Sequence, residues 1–392
     1  MTDASLRVVD RVGTLAPSPT IAVAQEARAL RRRGVDVVDF GPGEPDFDTP
    51  LHIRQAAMAA LNDGFTHYAP SRGIPELLDA IAGKLSAENG LTYDPESEIV
   101  VTPGAKQALV EAVLTAVENG DEVIIFDPGW GSYDAIVRLA GGVPVHVQLN
   151  ADFTVDPHSL NYALTKRTVA IIVGSPGNPT GHVLTSDELR LIAEVCVERD
   201  LLLISDEIYE RIWYGSRPVS PALFPGMWDR TVTVNGFSKA YAMTGWRLGY
   251  AAAPAPFMKQ MLKVQEHTVT TATSFAQIGA ITALTGSQQP IDEMVEEFCR
   301  RRYIILERLA ELPGFRCEPP DGAFYVFPDV SGTGLTGTDL ARRFLENGVA
   351  VTPGSGFGEA WDTNVRISFA TSQERIHTGL DRMAQTLSAV AG

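Results

Sequence analysis

The sequence predicts an α/β protein with a doubly wound, mostly parallel sheet and a smaller α+β unit beside it. Three observations carry this. From residue 98 onward, short β-like runs alternate with stretches of helical apolar periodicity, the pattern of βαβ units. Several runs end in turns rich in Gly and Pro, and parallel sheets gather their ligands at such strand ends. After the helical stretch at 290–311 the pattern changes to scattered short strands.

The bulk properties narrow the class further. A chain of 392 residues exceeds one ordinary core and fits one large and one small domain. Apolar content of 45% and charged content of 20% are those of a soluble globular protein. No apolar run reaches the roughly 18 residues of a membrane span, so no membrane partner is expected. Met1-Thr-Asp-Ala-Ser-Leu-Arg7 lacks the basic region and apolar core of a signal peptide, which makes the expected location cytoplasmic. Cys196, Cys299 and Cys317, odd in number and widely spaced, read as reduced thiols rather than a disulfide frame or metal site. A formal net charge of −16 argues against nucleic acid as a partner. It does not exclude an anionic ligand, because helix N-termini and a single arginine act locally.

Taken in order, residues 18–33 read as a helix with a cap at Ser18 or Thr20, cations at Arg31–Arg33 and a stop at Gly34. Val35–Phe40 is a strand leading into Gly41-Pro-Gly-Glu-Pro, a loop whose backbone can approach a ligand closely. Helices are expected at 50–63 and 73–89. Strand 98–102 passes through Pro103-Gly104 into a helix beginning near Ala105, a turn that exposes N–H groups suited to phosphate. Strand 122–126 leads to Asp127-Pro-Gly-Trp-Gly-Ser-Tyr133, where Trp130, flanked by glycines, is free to act as an aromatic platform. Strands at 143–148 and 168–173 follow, the second ending in Gly174-Ser-Pro-Gly-Asn-Pro-Thr-Gly181 with Asn178 held by Pro179. Leu201–Tyr209 reads as a buried strand whose C-terminal end delivers Asp206, with Tyr209 three residues on.

The centre of the reading is Asn235–Tyr250. It places Lys239 among Phe237, Ala240 and Ala242, and Arg247 just before another β-like run. Taken alone, Lys239 is either an exposed loop lysine or a buried amine; burial would lower its pKa and free it to attack a carbonyl. One long helix is expected at 255–284 and another at 290–311, then strands at 323–327, 349–351 and 365–369. Arg366 falls inside the last, between Val365 and Ile367, where a charge is seldom left unpaired unless the strand is an edge facing water.

Four motifs in this order, Gly41-Pro-Gly-Glu-Pro-Asp-Phe47, Ser175-Pro-Gly-Asn-Pro-Thr-Gly181, Ser205-Asp-Glu-Ile-Tyr209 and Ser238-Lys239 through Gly249, resemble the class I aminotransferases of fold type I, which bind pyridoxal 5'-phosphate (PLP). Within that family the chain is most similar to the bacterial aspartate and aromatic aminotransferases. The resemblance implies a large domain, 46–284, with a mostly parallel seven-stranded sheet between helices. It implies a small α+β domain from both termini, 1–45 and 285–392. It implies transfer of an amino group from an L-amino acid to a 2-oxo acid, with Lys239 as the Schiff-base lysine and proton carrier. Asp206 would face the pyridine nitrogen, Tyr209 and Asn178 the phenolic oxygen, and Trp130 the ring. Arg247, Ser238 and the turn Gly104, Ala105 and Lys106 would hold the phosphate, although many relatives carry a serine where this chain has Gly236. Arg366 and Gly43, with Trp130 and Asn178, would bind the substrate. Tyr68 would reach the phosphate of the neighbouring subunit, which implies a homodimer.

The same scaffold supports lyases and cyclases, and a PLP-binding regulator is a further alternative that the acidic charge and the position of the glycine loop disfavour. Ala16 and Glu266 stand where dicarboxylate-active relatives carry cations. From these two positions the sequence leads one to expect poor activity with aspartate and glutamate.

Overall fold

The computed structural model describes residues 7–17 and 19–391. The expectations for Met1–Leu6 and for Ser18 as a cap lie outside the described residues. A short strand, β1 (Val38–Asp39), follows the Pro19–Arg32 helix. The central sheet then takes β2 (Ile99–Thr102), β3 (Glu122–Asp127), β4 (Val143–Gln148), β5 (Thr168–Gly174), β6 (Leu202–Asp206), β7 (Thr231–Gly236) and β8 (Gly249–Ala252). Their spatial order is β2-β8-β7-β6-β5-β3-β4. β8 runs antiparallel to both neighbours and the other pairs are parallel.

The inner strands β3, β5 and β6 carry continuous apolar runs because helices cover both faces, whereas the edge strand β4 alternates buried and exposed residues. Ile124, Ile171 and Leu203 point into one core with Ile192 and Cys196 of the Ser186–Arg199 helix. The alternate residues Ile125, Ile172 and Ile204 point into the other, with Leu109 and Val113 of the Ala105–Ala116 helix. A strand sandwiched in this way is fixed in register, since a slip of one residue would exchange the two cores.

Two smaller sheets lie apart from the central one. They contain β9 (Tyr325–Val326), β10 (Val349–Ala350), β11 (Thr352–Pro353) and β12 (Val365–Ser368). β1 pairs with β10, and β12 lies between β11 and β9. Both ends of the chain therefore meet: Asp36, just before β1, is held by Arg375 at 2.9 Å and Arg382 at 2.6 Å from the last helix.

The structure corrects two expectations. The helix expected at 255–284 is two helices, Ala255–Thr268 and Ser274–Thr285. Between them Thr270 adopts φ 67, and the buried Gln265 amide donates to the carbonyls of Ser71 and Val101, which fixes the chain where the first helix stops. The run Thr268-Val-Thr-Thr271, β-branched throughout, favours that break. The strand expected at 349–351 is likewise divided, since Val349–Ala350 pairs with β1 and Thr352–Pro353 with β12.

Candidate active site

The turns leaving the C-terminal ends of β2, β3, β5, β6 and β7 converge, with β12 and the loop after β1, on a cleft of about 290 Å³. β7 closes with Gly236, where a Cβ would lie 2.9 Å from the Cα of Gly249 on β8; only glycine allows that approach. The chain then turns, and Lys239 extends into the cleft while Phe237 and Ala240 are buried behind it. Its Nζ donates to the carbonyl of Gly43 and lies 5.8 Å from the centre of the Tyr209 ring. Burial pulls the amine down to about 8, opposed by Glu44 and helped by Arg366 and Arg247. Of the two sequence readings, the structure shows the buried amine.

Asp206 is the last residue of β6 and is buried. Its Oδ2 accepts from the Tyr133 hydroxyl at 2.9 Å and its Oδ1 from the Ile208 N–H at 3.2 Å. Burial still raises the carboxyl to about 6, because those bonds and Lys239 offset only part of the desolvation. Tyr209 shares a 2.7 Å hydrogen bond with the hydroxyl of Tyr325, and burial raises its pKa well above the ordinary value.

Arg366 lies in the middle strand of its sheet and is 1% exposed, so the edge-strand alternative is excluded. One guanidinium nitrogen donates to Asn178 Oδ1 at 2.9 Å and another to the carbonyl of Gly41. The group stacks 4.5 Å from the centre of the Tyr325 ring. Among the described residues its Nε has no partner, a buried donor that an anionic ligand would satisfy. Gly43 lines the same end, and a Cβ there would come within 2.7 Å of the Tyr325 hydroxyl.

At the other end, Gly104 precedes the Ala105–Ala116 helix with φ +89, and a Cβ on it would meet Arg247 Nη2 at 2.6 Å. Arg247 is thereby packed against a helix N-terminus whose first N–H groups have no intrahelical acceptor, an arrangement suited to an anion. Ala105, Ser238 and Lys106 line this end. The Lys106 ammonium sits 4.6 Å from the centre of the Trp130 ring, with its pKa lowered by partial burial and by Arg247.

Two expected residues stand elsewhere. Tyr68 is 88% exposed and does not line this chain's cleft. Glu266 is exposed on the Ala255–Thr268 helix, also outside the cleft, and its charge acts on Arg72. Ala16 lines an adjoining groove. Sequence reasoning missed Tyr133 and Tyr325, which brace Asp206 and Tyr209. Tyr325 carried a usable signal, a hydroxyl inside the apolar run Ala323-Phe-Tyr-Val-Phe327, of the same kind that marked Arg366.

A buried amine of lowered pKa, a buried carboxylate at a strand end and an arginine at a helix N-terminus make up an α/β enzyme site that offers a nucleophilic amine and room for an anion. Comparison with known proteins gives the family. The sequence model of the class I and II aminotransferases matches residues 35–383. The aspartate aminotransferase of Geobacillus stearothermophilus is 43% identical, over 98% of this chain and 100% of its own. A solved aspartate aminotransferase from Thermus thermophilus, with maleate, superposes at a TM-score of 0.93 with 44% identity, covering 97% of this chain and 100% of that one. The aromatic aminotransferase of Pyrococcus horikoshii superposes at 0.88 with 43% identity, covering 94% and 99%. The chain belongs to the class I and II aminotransferases and is a transferase of amino groups.

Proposed function

We propose that the enzyme holds PLP in this cleft and moves the α-amino group of a dicarboxylic L-amino acid, with aspartate as the type, to a 2-oxo acid. The observation that carries this is the charge of the cleft: Lys106, Lys239, Arg247 and Arg366 line it against one carboxylate, Asp206. Phosphate and the substrate α-carboxylate account for Arg247 and Arg366. Lys106, beside Trp130 at the mouth, then remains for a second carboxylate. Relatives point the same way, in that several are named aspartate aminotransferases and the Thermus structure holds maleate, itself a dicarboxylate.

When bound, PLP supplies an electron sink for the carbanion formed at the substrate Cα. Lys239, partly unprotonated because it is buried, serves as the amine that anchors the cofactor and as the base that moves the Cα proton. Asp206 keeps the ring nitrogen protonated; a cation opposite it would draw its own pKa back down from about 6. Tyr209 and Asn178 would orient the phenolic oxygen and Trp130 would support the ring, while Arg247, Ser238 and the backbone N–H groups of the Gly104, Ala105 and Lys106 turn would hold the phosphate and leave the Lys106 ammonium free. Arg366 and Gly43 receive the α-carboxylate.

The expectation of poor aspartate activity drew on Ala16 and Glu266; Ala16 lines the adjoining groove, and Glu266 does not line this chain's cleft, whose own cations favour the dicarboxylate reading. Comparing kcat/KM for aspartate, phenylalanine, methionine and arginine in the wild type and in Lys106→Ala tests the substrate reading. We expect aspartate to lead and the substitution to lower its kcat/KM selectively, about 10- to 100-fold, for loss of a charge pair. A neutral or basic donor in the lead, with Lys106→Ala indifferent to donor, would refute it.

The proposal includes a homodimer in which Tyr68, solvent-exposed in the single chain, reaches the partner's phosphate; an active monomer in sedimentation at assay concentration would contradict it. It includes a large domain over 46–284 and a small one from the segment up to 45 together with 285–392, supported by the pairing of β1 with β10. A cytoplasmic location agrees with three unpaired cysteines. No helix among the described residues is long and apolar enough to cross a membrane.

A further inference from the structure

We infer that His146 is a positioning residue for Trp130, tying together the two ends of the loop that carries that ring. The inference rests on the reading of Trp130 as the platform for the cofactor ring. Asp127 ends β3 and Asp134 lies in the first turn of the Ser132–Ala140 helix, so the two carboxylates bracket the loop 128–131. His146, on neighbouring β4, reaches both. Its Nδ1 donates to Asp127 Oδ2 at 3.0 Å and its Nε2 to Asp134 Oδ2 at 3.0 Å. A neutral imidazole has one N–H, so only the cation can donate to both. The paired carboxylates hold it in that form by pushing its pKa up to about 10. Arg138 shares Asp134 at 2.7 Å, and Glu359 is the other charged group lining this groove.

The tie extends to the opposite wall of the cleft. Gln148, two residues along β4, donates to Asp127 Oδ2 at 3.3 Å and accepts from Trp361 Nε1 at 3.0 Å. The Gly129 N–H donates to the carbonyl of Phe357 at 2.9 Å, and the Phe357 ring lies 5.0 Å from the guanidinium of Arg366. Asp127 is thus the point where the loop bearing Trp130 meets the segment that leads to Arg366. The His146 side chain is 37% exposed and its pairs are screened by water, while the more buried Asp127 keeps a second donor in Gln148, so the cost to global stability is small. Its loss should therefore show in the placement of Trp130 rather than in unfolding.

The test uses the PLP-loaded enzyme with aspartate as donor, read by steady-state kinetics, by circular dichroism of the cofactor's visible band and by thermal unfolding. His146→Gln is expected to lower kcat/KM about tenfold, short of the roughly hundredfold that a full ångström of misplacement costs. It should weaken the visible dichroism while leaving the melting temperature nearly unchanged. His146→Arg, which keeps the charge and offers donors to both carboxylates, is expected to regain most of the loss. A packing role would rank the variants the other way, since glutamine is closer to histidine in size. Wild-type behaviour of His146→Gln, or an arginine variant no better than the glutamine one, would overturn the inference. Should His146→Arg fail to fold, Asp134→Ala removes one end of the tie with the histidine in place; unchanged dichroism there would also overturn it. Trp130→Ala is the control for the underlying reading: if it leaves the visible dichroism intact, the platform role itself is wrong, whatever the His146 variants show.

Discussion

The two walls of the cleft are built on different principles. Asp206 ends, and Lys239 and Asn178 follow, strands of five to seven residues that are clamped between two helical layers. Arg366, Tyr325 and Gly43 come from strands of two to four residues and a loop, drawn from opposite ends of the chain. On the first wall the sheet places each residue, and the neighbours that matter are close in sequence or one strand away. On the second, placement depends on contacts across the cleft, such as Arg366 to Asn178 and Tyr325 to Tyr209. Substitutions on the first wall should therefore remove chemistry and leave binding, whereas those on the second should loosen substrate binding first.

The largest effect is expected for Lys239→Ala. Turnover should fall on the order of 10⁴- to 10⁶-fold, as when a covalent catalyst is removed, while the fold persists. The same variant sharpens the physical argument without cofactor. Burial depresses the lysine from 10.5 to about 8, so its contribution to stability is fully present above 10.5 and is lost as pH falls through 8. Cofactor-free Lys239→Ala should accordingly melt a few degrees above the wild type near pH 7, and the gap should close as pH approaches 10.5. An equal or lower melting temperature at neutral pH would mean that the amine is not desolvated.

Asp206→Asn comes next, with kcat expected to fall roughly 10²- to 10³-fold, the scale of losing a preorganised charge, and with cofactor still bound. A rise in KM as the main change would break the distinction between the walls. Arg366→Lys should act in the opposite sense. Replacing a planar fork by a point charge is expected to raise KM for every donor about tenfold or more with a smaller change in kcat. Tyr325→Phe is expected to be mildest, about two- to tenfold in kcat/KM, because it removes one hydrogen bond to Tyr209 and keeps the stack on Arg366.

Legibility in the sequence follows the same division. Most central strands were readable because β-branched and aliphatic runs, several closed by Gly/Pro turns, mark a buried parallel sheet; β7 was not, because its Thr231-Val-Thr-Val-Asn-Gly236 alternation lacks such a run. The short strands were less so. The runs expected at 35–40 and 323–327 contain β1 and β9 but pair over two residues each, and the register of β10 and β11 is decided by partners far along the chain. The break in the helix after Thr268 is likewise set by Gln265, whose amide is held by Ser71 and Val101. Tyr133 escaped notice because bracing is a property of distances and in sequence it looks like an ordinary core aromatic, whereas the hydroxyl of Tyr325 inside an apolar run was a signal left unused.

The central claim is that the amine of Lys239 takes the cofactor. Loading the enzyme with PLP, reducing it with borohydride and locating the modified lysine by peptide mass spectrometry tests this directly. The account predicts a pyridoxyl group on Lys239 and its disappearance in Lys239→Ala; a group on another lysine, or one that survives that substitution, would contradict it.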